Sequence, residues 1–110
     1  MNKELELLKD EIAKDYAEWH ARGEYGSPSD FDDFRNRIDI EEGRKYYKIV
    51  KGLGSQQMVW GFVVKGADKK FQPGDILKAA SWAAPARNKA RGNVLEEDFS
   101  WVRWTGPEYL

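Results

Sequence analysis

The sequence predicts an α+β fold in which two N-terminal helices pack on a small antiparallel sheet of three or four strands. Apolar residues recur at helical spacing before Gly43, whereas β-branched and aromatic residues dominate after Lys45. The length of 110 residues suits one hydrophobic core. We therefore expect residues 1–110 to form a single domain, with an acidic helical part at 1–43 and a β-rich part at 44–110.

The first helix is predicted over residues 2–22 and is expected to end at Gly23. Apolar side chains recur there at spacings of three and four, which places them on one face: Leu5, Leu8, Ile12, Tyr16 and Trp19. The chain's one histidine, His20, lies near the end of this helix. A surface or boundary position is favoured for His20 over a catalytic one, because no partner for an acid-base pair is visible.

A second helix is predicted to begin after Ser27, which is a typical N-cap, with Pro28 at the first helical position. Its apolar face is formed by Phe31, Phe34 and Ile38, and it is expected to end near Gly43. Three aspartates lie in its first turns, where the helix dipole favours negative charge: Asp30, Asp32 and Asp33. A Mg²⁺ or Ca²⁺ site on them is disfavoured, because the glycine and distant glutamate of a calcium loop are absent.

The β-rich part begins with a predicted hairpin formed by KYYKIV and QMVWGFVV. Its connection, KGLGSQ at 51–56, resembles a phosphate-binding loop only superficially, since it lacks a GK[ST] ending and joins two strands. A third strand is predicted over 76–80 and a last one over 99–104, followed by a Thr-Gly-Pro turn. Five aromatic residues are expected in the core or on the sheet: Trp60, Phe62, Phe99, Trp101 and Trp104.

Charge is strongly segregated along the chain, although the net charge is −1. Residues 1–43 carry a net −7, residues 44–93 a net +9, and residues 94–110 a net −3. The basic middle part is either a surface for an anionic partner or is neutralised internally by the acidic helices folding over it. Both interpretations remain open from the sequence.

The basic loop at 78–93 is the strongest candidate site. It combines cationic side chains, an indole and amides: Lys78, Trp82, Arg87, Asn88, Lys89, Arg91 and Asn93. Arginine and lysine neutralise phosphates, asparagine amides reach base edges, and an indole face stacks on an unpaired base. The alternative is structural: Trp82 anchors the core and the basic residues pair with the first helix.

Two segments of the sequence carry a family resemblance: GDILKAASWAAPARNKARGNV at 74–94 and WTGPEYL at 104–110. They resemble small uncharacterised proteins encoded by tailed bacteriophages. The resemblance covers the last two thirds of the chain and not the acidic helical part. It implies a phage origin and brings no reaction or cofactor with it.

From these observations we expect a non-enzymatic phage accessory protein that binds nucleic acid, with single strands favoured, through the basic loop. One alternative is a protein that binds and modulates a host protein, such as a defence or transcription factor, through the acidic helices or exposed tryptophans. Another is the sequestration of a small anionic nucleotide. No metal or cofactor is expected. The absence of cysteine and of long apolar runs predicts a location in the host cytoplasm, away from membranes.

Overall fold

Two helices precede all of the strands in the computed structural model. The structure describes residues 2–22, 30–53, 56–66, 69–87, 89–96, 99–103 and 105–107, without the side chains of residues 20–22, 30 and 53. Helix α1 (Asn2–Arg22) matches the predicted helix. The predicted stop at Gly23 and the predicted cap at Ser27 and Pro28 lie outside the described residues.

Helix α1 buries the first part of its predicted apolar face. Leu5, Leu8 and Ile12 are fully or almost fully buried. Tyr16 stacks on Phe34 of helix α2 (Asp30–Arg35), with 4.1 Å between ring centroids. Trp19, one turn beyond Tyr16, is 53% exposed, so its predicted place in the buried face is wrong. Helix α2 therefore packs on α1 at Tyr16, whereas Trp19 is exposed to solvent.

Helix α2 is shorter than predicted, because the chain turns at Asn36 and becomes strand β1 (Ile38–Glu42). Ile38 fits two patterns: it follows Phe34 by four residues, as in a helix, and precedes Ile40 by two, as in a strand. Pairing with the next strand satisfies the backbone of this segment. Arg35, at the end of α2, forms ion pairs with the carboxylates of Asp10 and Glu6 on α1. The hydrogen bond to Asp10 raises the pKa of Arg35 above its ordinary value.

The described residues form an antiparallel sheet of five strands in the order β1-β2-β3-β4-β5, one more than the upper bound of the prediction. The remaining strands are β2 (Tyr46–Leu53), β3 (Gln56–Val64), β4 (Asp75–Leu77) and β5 (Gly92–Asn93). The predicted hairpin is confirmed by the pairing of β2 with β3. The extra strands are β1, which was expected to be helical, and β5, which lies inside the predicted loop.

The predicted strands at 76–80 and 99–104 are both shorter in the structure. Strand β4 stops at Leu77, and Ala79 forms only an isolated bridge with Pro85. Near the C-terminus, strands β6 (Val102–Arg103) and β7 (Gly106–Pro107) form a separate two-stranded ribbon. Trp104 lies outside the described residues.

Both faces of the five-stranded sheet contribute buried side chains, because neighbouring residues on its strands join different clusters. The helix-side cluster includes Leu5, Leu8, Ile12, Phe34, Ile38, Ile49, Trp60, Val63, Ile76, Val94, Trp101 and Val102. The loop-side cluster comprises Phe62, Val64, Phe71 and Leu77, with Tyr46, Val59 and Ala90 packed against it. Burial of these apolar groups is the main source of stability.

The predicted core tryptophans Trp60 and Trp101 are buried in the helix-side cluster. The indole nitrogen of Trp60 donates a hydrogen bond of 2.7 Å to the backbone oxygen of Arg103, which connects β3 to the small ribbon. Trp101 covers Gly92, where an added Cβ would lie 2.4 Å from the indole ring. In the described part of the chain, neither helix is long and apolar enough to cross a membrane.

Candidate functional site

Trp82 lies at the tip of a small hairpin, which we call the Trp82 hairpin (residues 78–86). The backbone amide of Ala86 donates to the oxygen of Lys78 at 2.7 Å, and the amides of Ala80 and Ser81 both donate to the oxygen of Ala84. These bonds explain why a stretch without helical or strand periodicity is nevertheless ordered. They place Trp82 where its side chain projects from the turn.

The indole of Trp82 is half exposed, at 50%, so the alternative in which it anchors the core is wrong. Its ring is contacted by Lys48 of β2, whose ammonium nitrogen lies 3.8 Å from the ring centroid. Such a cation–π contact stabilises an exposed pair by about 0.5–1 kcal/mol. Lys48 of strand β2 therefore contacts the Trp82 hairpin and leaves half of the indole exposed to solvent.

Arg87 follows the Trp82 hairpin and is exposed, yet its position is defined by two aromatic residues. Its Nη1 donates a hydrogen bond to the hydroxyl of Tyr46, and its guanidinium carbon lies 5.0 Å from the centre of the Phe71 ring. Tyr46 in turn packs edge-on against Phe62. The guanidinium is thus oriented by the loop-side cluster while remaining accessible to a ligand.

A cleft of about 230 Å³ separates the Trp82 hairpin from the turn between β1 and β2. Its lining mixes both charges with two aromatic rings: Glu41, Glu42, Gly43, Arg44, Lys45, Tyr46, Lys48, Phe62 and Ala83. Glu42 forms an ion pair with Lys65, with 2.7 Å between the charged atoms. The cleft lies beside the exposed indole because Ala83, which lines it, follows Trp82 in the chain.

The other predicted site residues divide into exposed and structural ones. Lys89 is exposed and Lys78 is half-buried. Arg91 is only 5% exposed and its backbone amide donates to Ile76, so Arg91 does not belong to the exposed surface. Asn93 is structural: its amide nitrogen donates to Pro73 and Asp75, and its side-chain oxygen accepts from the amide of Leu95. Asn88 lies outside the described residues.

The acidic helix α1 does not lie over the basic loop. Helix α1 packs against the helix-side cluster, whereas the loop contributes Ala90 to the loop-side cluster on the opposite face of the sheet. Trp82, Arg87 and Lys89 are exposed. The described core contacts therefore place α1 and this part of the loop on different faces of the sheet.

Sequence reasoning missed Lys48 and Tyr46 as members of the site. Tyr46 and Lys48 are two residues apart in the predicted strand KYYKIV, so strand alternation places both on one face of β2. That alternation is the sequence signal that could have indicated them. It also missed Glu41, because the second helix was expected to extend to Gly43. The contacts between the loop and β2 form only in the tertiary structure, so no local sequence pattern predicts them.

The described residues offer no grouped metal ligands, and the buried Lys51 lies away from the Trp82 hairpin. In the part of the chain that the structure describes, no three His, Cys, Asp or Glu residues are grouped as a metal site would require. Lys51 of β2 is only 2% exposed, and burial lowers its pKa to about 8. It lies on the helix-side face of β2, opposite Ile38, and so away from the Trp82 hairpin.

One comparison with known proteins gives a match. The model of a family described as a family of unknown function (DUF7717) matches residues 2–109, and the chain belongs to that family. No match to a curated protein or to a solved structure is found.

Proposed function

We propose that this member of DUF7717 is a non-enzymatic phage accessory protein that binds single-stranded nucleic acid in the host cytoplasm. The observation that carries the proposal is the half-exposed indole of Trp82, held beside Lys48 and close in sequence to Arg87. The phage origin is supported by the resemblance of residues 74–94 and 104–110 to proteins of tailed bacteriophages.

The cations around Trp82 suit a phosphate backbone. Exposed or half-exposed cationic side chains occur on the Trp82 hairpin, after it and on the facing β2 region: Arg44, Lys45, Lys48, Lys78, Arg87 and Lys89. Residues 44–93 carry a net +9, and the acidic helix α1 lies on the other face of the sheet. Attraction to phosphates and release of counterions would therefore supply much of the affinity.

The geometry of the indole favours single strands over duplexes. A base in a duplex is already stacked between its neighbours, whereas an unpaired base offers a free face to an aromatic ring. Trp82 stands at the tip of a short hairpin and belongs to no helix, so the described residues offer no helix that would carry its indole into a major groove. Stacking is also tolerant of sequence, because every base has an aromatic face.

A titration of labelled single and double strands at low and raised salt tests this proposal. We expect single strands to bind more tightly and the affinity to fall steeply with salt. Lys48→Ala should weaken binding, whereas Lys14→Ala should not, since Lys14 is an exposed lysine on α1. Absence of binding to either strand type at low salt would reject the proposal.

Binding to a host protein is the second candidate function, and the exposure of Trp19 favours it. Trp19 lies on the acidic helix α1, is 53% exposed and has its ring centroid 6.4 Å from that of Tyr16. Tryptophan is enriched among the residues that dominate protein interfaces. A pull-down from host lysate should then recover a protein with the parent chain and lose it with Trp19→Ala.

A further inference from the structure

The cleft beside Trp82 contains an acidic group that phosphate binding does not explain. Glu41 and Lys48 face each other directly in the pairing of β1 with β2, a position in which opposite charges usually attract. The ammonium of Lys48 instead lies over the Trp82 ring, at 3.8 Å from its centre. Glu41 is exposed and lines the cleft.

The second carboxylate of the cleft is differently engaged. Glu42 pairs with Lys65 at 2.7 Å, and the same ammonium donates to the backbone oxygen of Gly43 at 3.0 Å. Glu41 is therefore the carboxylate of this cleft that is presented to a ligand. Among the cations of the lining this carboxylate weakens the attraction of phosphate, and it offers hydrogen-bond acceptors to another part of a nucleotide.

A carboxylate can only accept hydrogen bonds, which makes it selective among bases. Guanine presents two adjacent donors, N1–H and the N2 amino group, and these match the two oxygens of a carboxylate. Cytosine and adenine present an amino group next to an acceptor nitrogen. Thymine presents a single N–H between two carbonyl oxygens, which repel the carboxylate. Contacts of this kind discriminate between bases by roughly 5- to 150-fold.

We propose that the cleft binds the base of a nucleotide and that Glu41 selects guanine over thymine. This inference rests on the proposed binding of single-stranded nucleic acid. Two residues of the cleft lining adjoin Trp82: Ala83 follows it in the chain, and the ammonium of Lys48 lies over its ring. In this proposal the base lies in the cleft beside that indole, and Arg87 and the cations of the lining meet the phosphates on either side of it. Glu41 accepts hydrogen bonds from the base edge, and the cations bind the phosphates of the nucleic-acid backbone.

The test is a titration of labelled oligothymidine against the same strand carrying isolated guanines, adenines or cytosines. We expect the guanine strand to bind about tenfold more tightly than oligothymidine. Glu41→Gln should abolish that preference and leave the affinity for oligothymidine equal or higher, since a negative charge is removed. Asp39→Asn is the matched control: Asp39 is exposed on the same face of β1, outside the cleft, and its variant should keep the preference.

The outcomes separate the two proposals. If no strand binds at low salt, both the proposed function and this inference are overturned. If strands bind but guanine is not preferred, or if Glu41→Gln keeps the preference, the proposed function stands and this inference is overturned. A thermal melt of each variant confirms that the change in preference is not a loss of fold.

Discussion

The ammonium of Lys48 lies 3.8 Å from the centre of the Trp82 indole ring, joining strand β2 to a loop more than thirty residues further along the chain. The contact fixes an aromatic side chain that is half in solvent. An indole fixed in this way loses less conformational entropy when a base stacks on it. The candidate site is therefore built from strand β2 as well as from the basic loop.

Arg87→Ala tests the phosphate contact at the edge of this surface. The guanidinium is oriented by Tyr46 and Phe71 but is exposed, so its removal should weaken binding of every strand and lower the salt slope by about one. The thermal midpoint should change little. Arg37→Ala is the control, since Arg37 is exposed and lies against Gly52, at the opposite end of β2 from Tyr46. Equal salt slopes for the two variants would contradict the assignment.

Gly92→Ala tests the packing of β5. A Cβ at Gly92 would lie 2.4 Å from the buried ring of Trp101, which cannot move without displacing its neighbours in the helix-side cluster. We expect a loss of about 1–3 kcal/mol in the free energy of unfolding, measured with urea. Gly66→Ala should have little effect, because nothing lies within 4 Å of an added Cβ there. Similar midpoints for both variants would show that the described packing is incorrect.

Lys51 predicts a pH dependence of stability. Burial lowers its pKa to about 8 from an ordinary value of 10.5. Between these values the unfolded chain holds a proton on Lys51 that the folded chain has lost, so the free energy of unfolding rises as pH increases. The rise should be at most about 3 kcal/mol, at 1.36 kcal/mol per pKa unit. Urea titrations from pH 7.5 to 10.5 should show it in the parent and not in Lys51→Met; identical slopes would refute it.

The sequence predicted helix α1 from its helical periodicity and the central hairpin from two runs rich in β-branched and aromatic residues, and the fold class follows from these two elements. It misjudged Ile38, because one isoleucine fits both a helix that includes Phe34 and a strand that includes Ile40. Strand β5 is two residues long and carries no periodicity of its own. It forms because its neighbour β4 supplies the pairing groups.

For the site, composition identified the loop but not the environment of each member. Arg91 and Arg87 are four residues apart and chemically identical, yet one is buried and the other exposed. That difference arises from how the loop crosses the sheet. The contributions of Lys48 and Glu41 likewise come from strands distant in sequence, where only the folded chain shows the contact.

Trp82→Ala is the most direct test of the central claim that an exposed indole binds unpaired bases. We predict a loss of roughly 1–3 kcal/mol in single-strand binding, because stacking contributes that much per base. The thermal midpoint should stay close to the parent's. Trp60→Ala, which removes a fully buried indole, should instead lower the free energy of unfolding by about 3–5 kcal/mol. If Trp82→Ala binds every single strand as tightly as the parent, the account is contradicted.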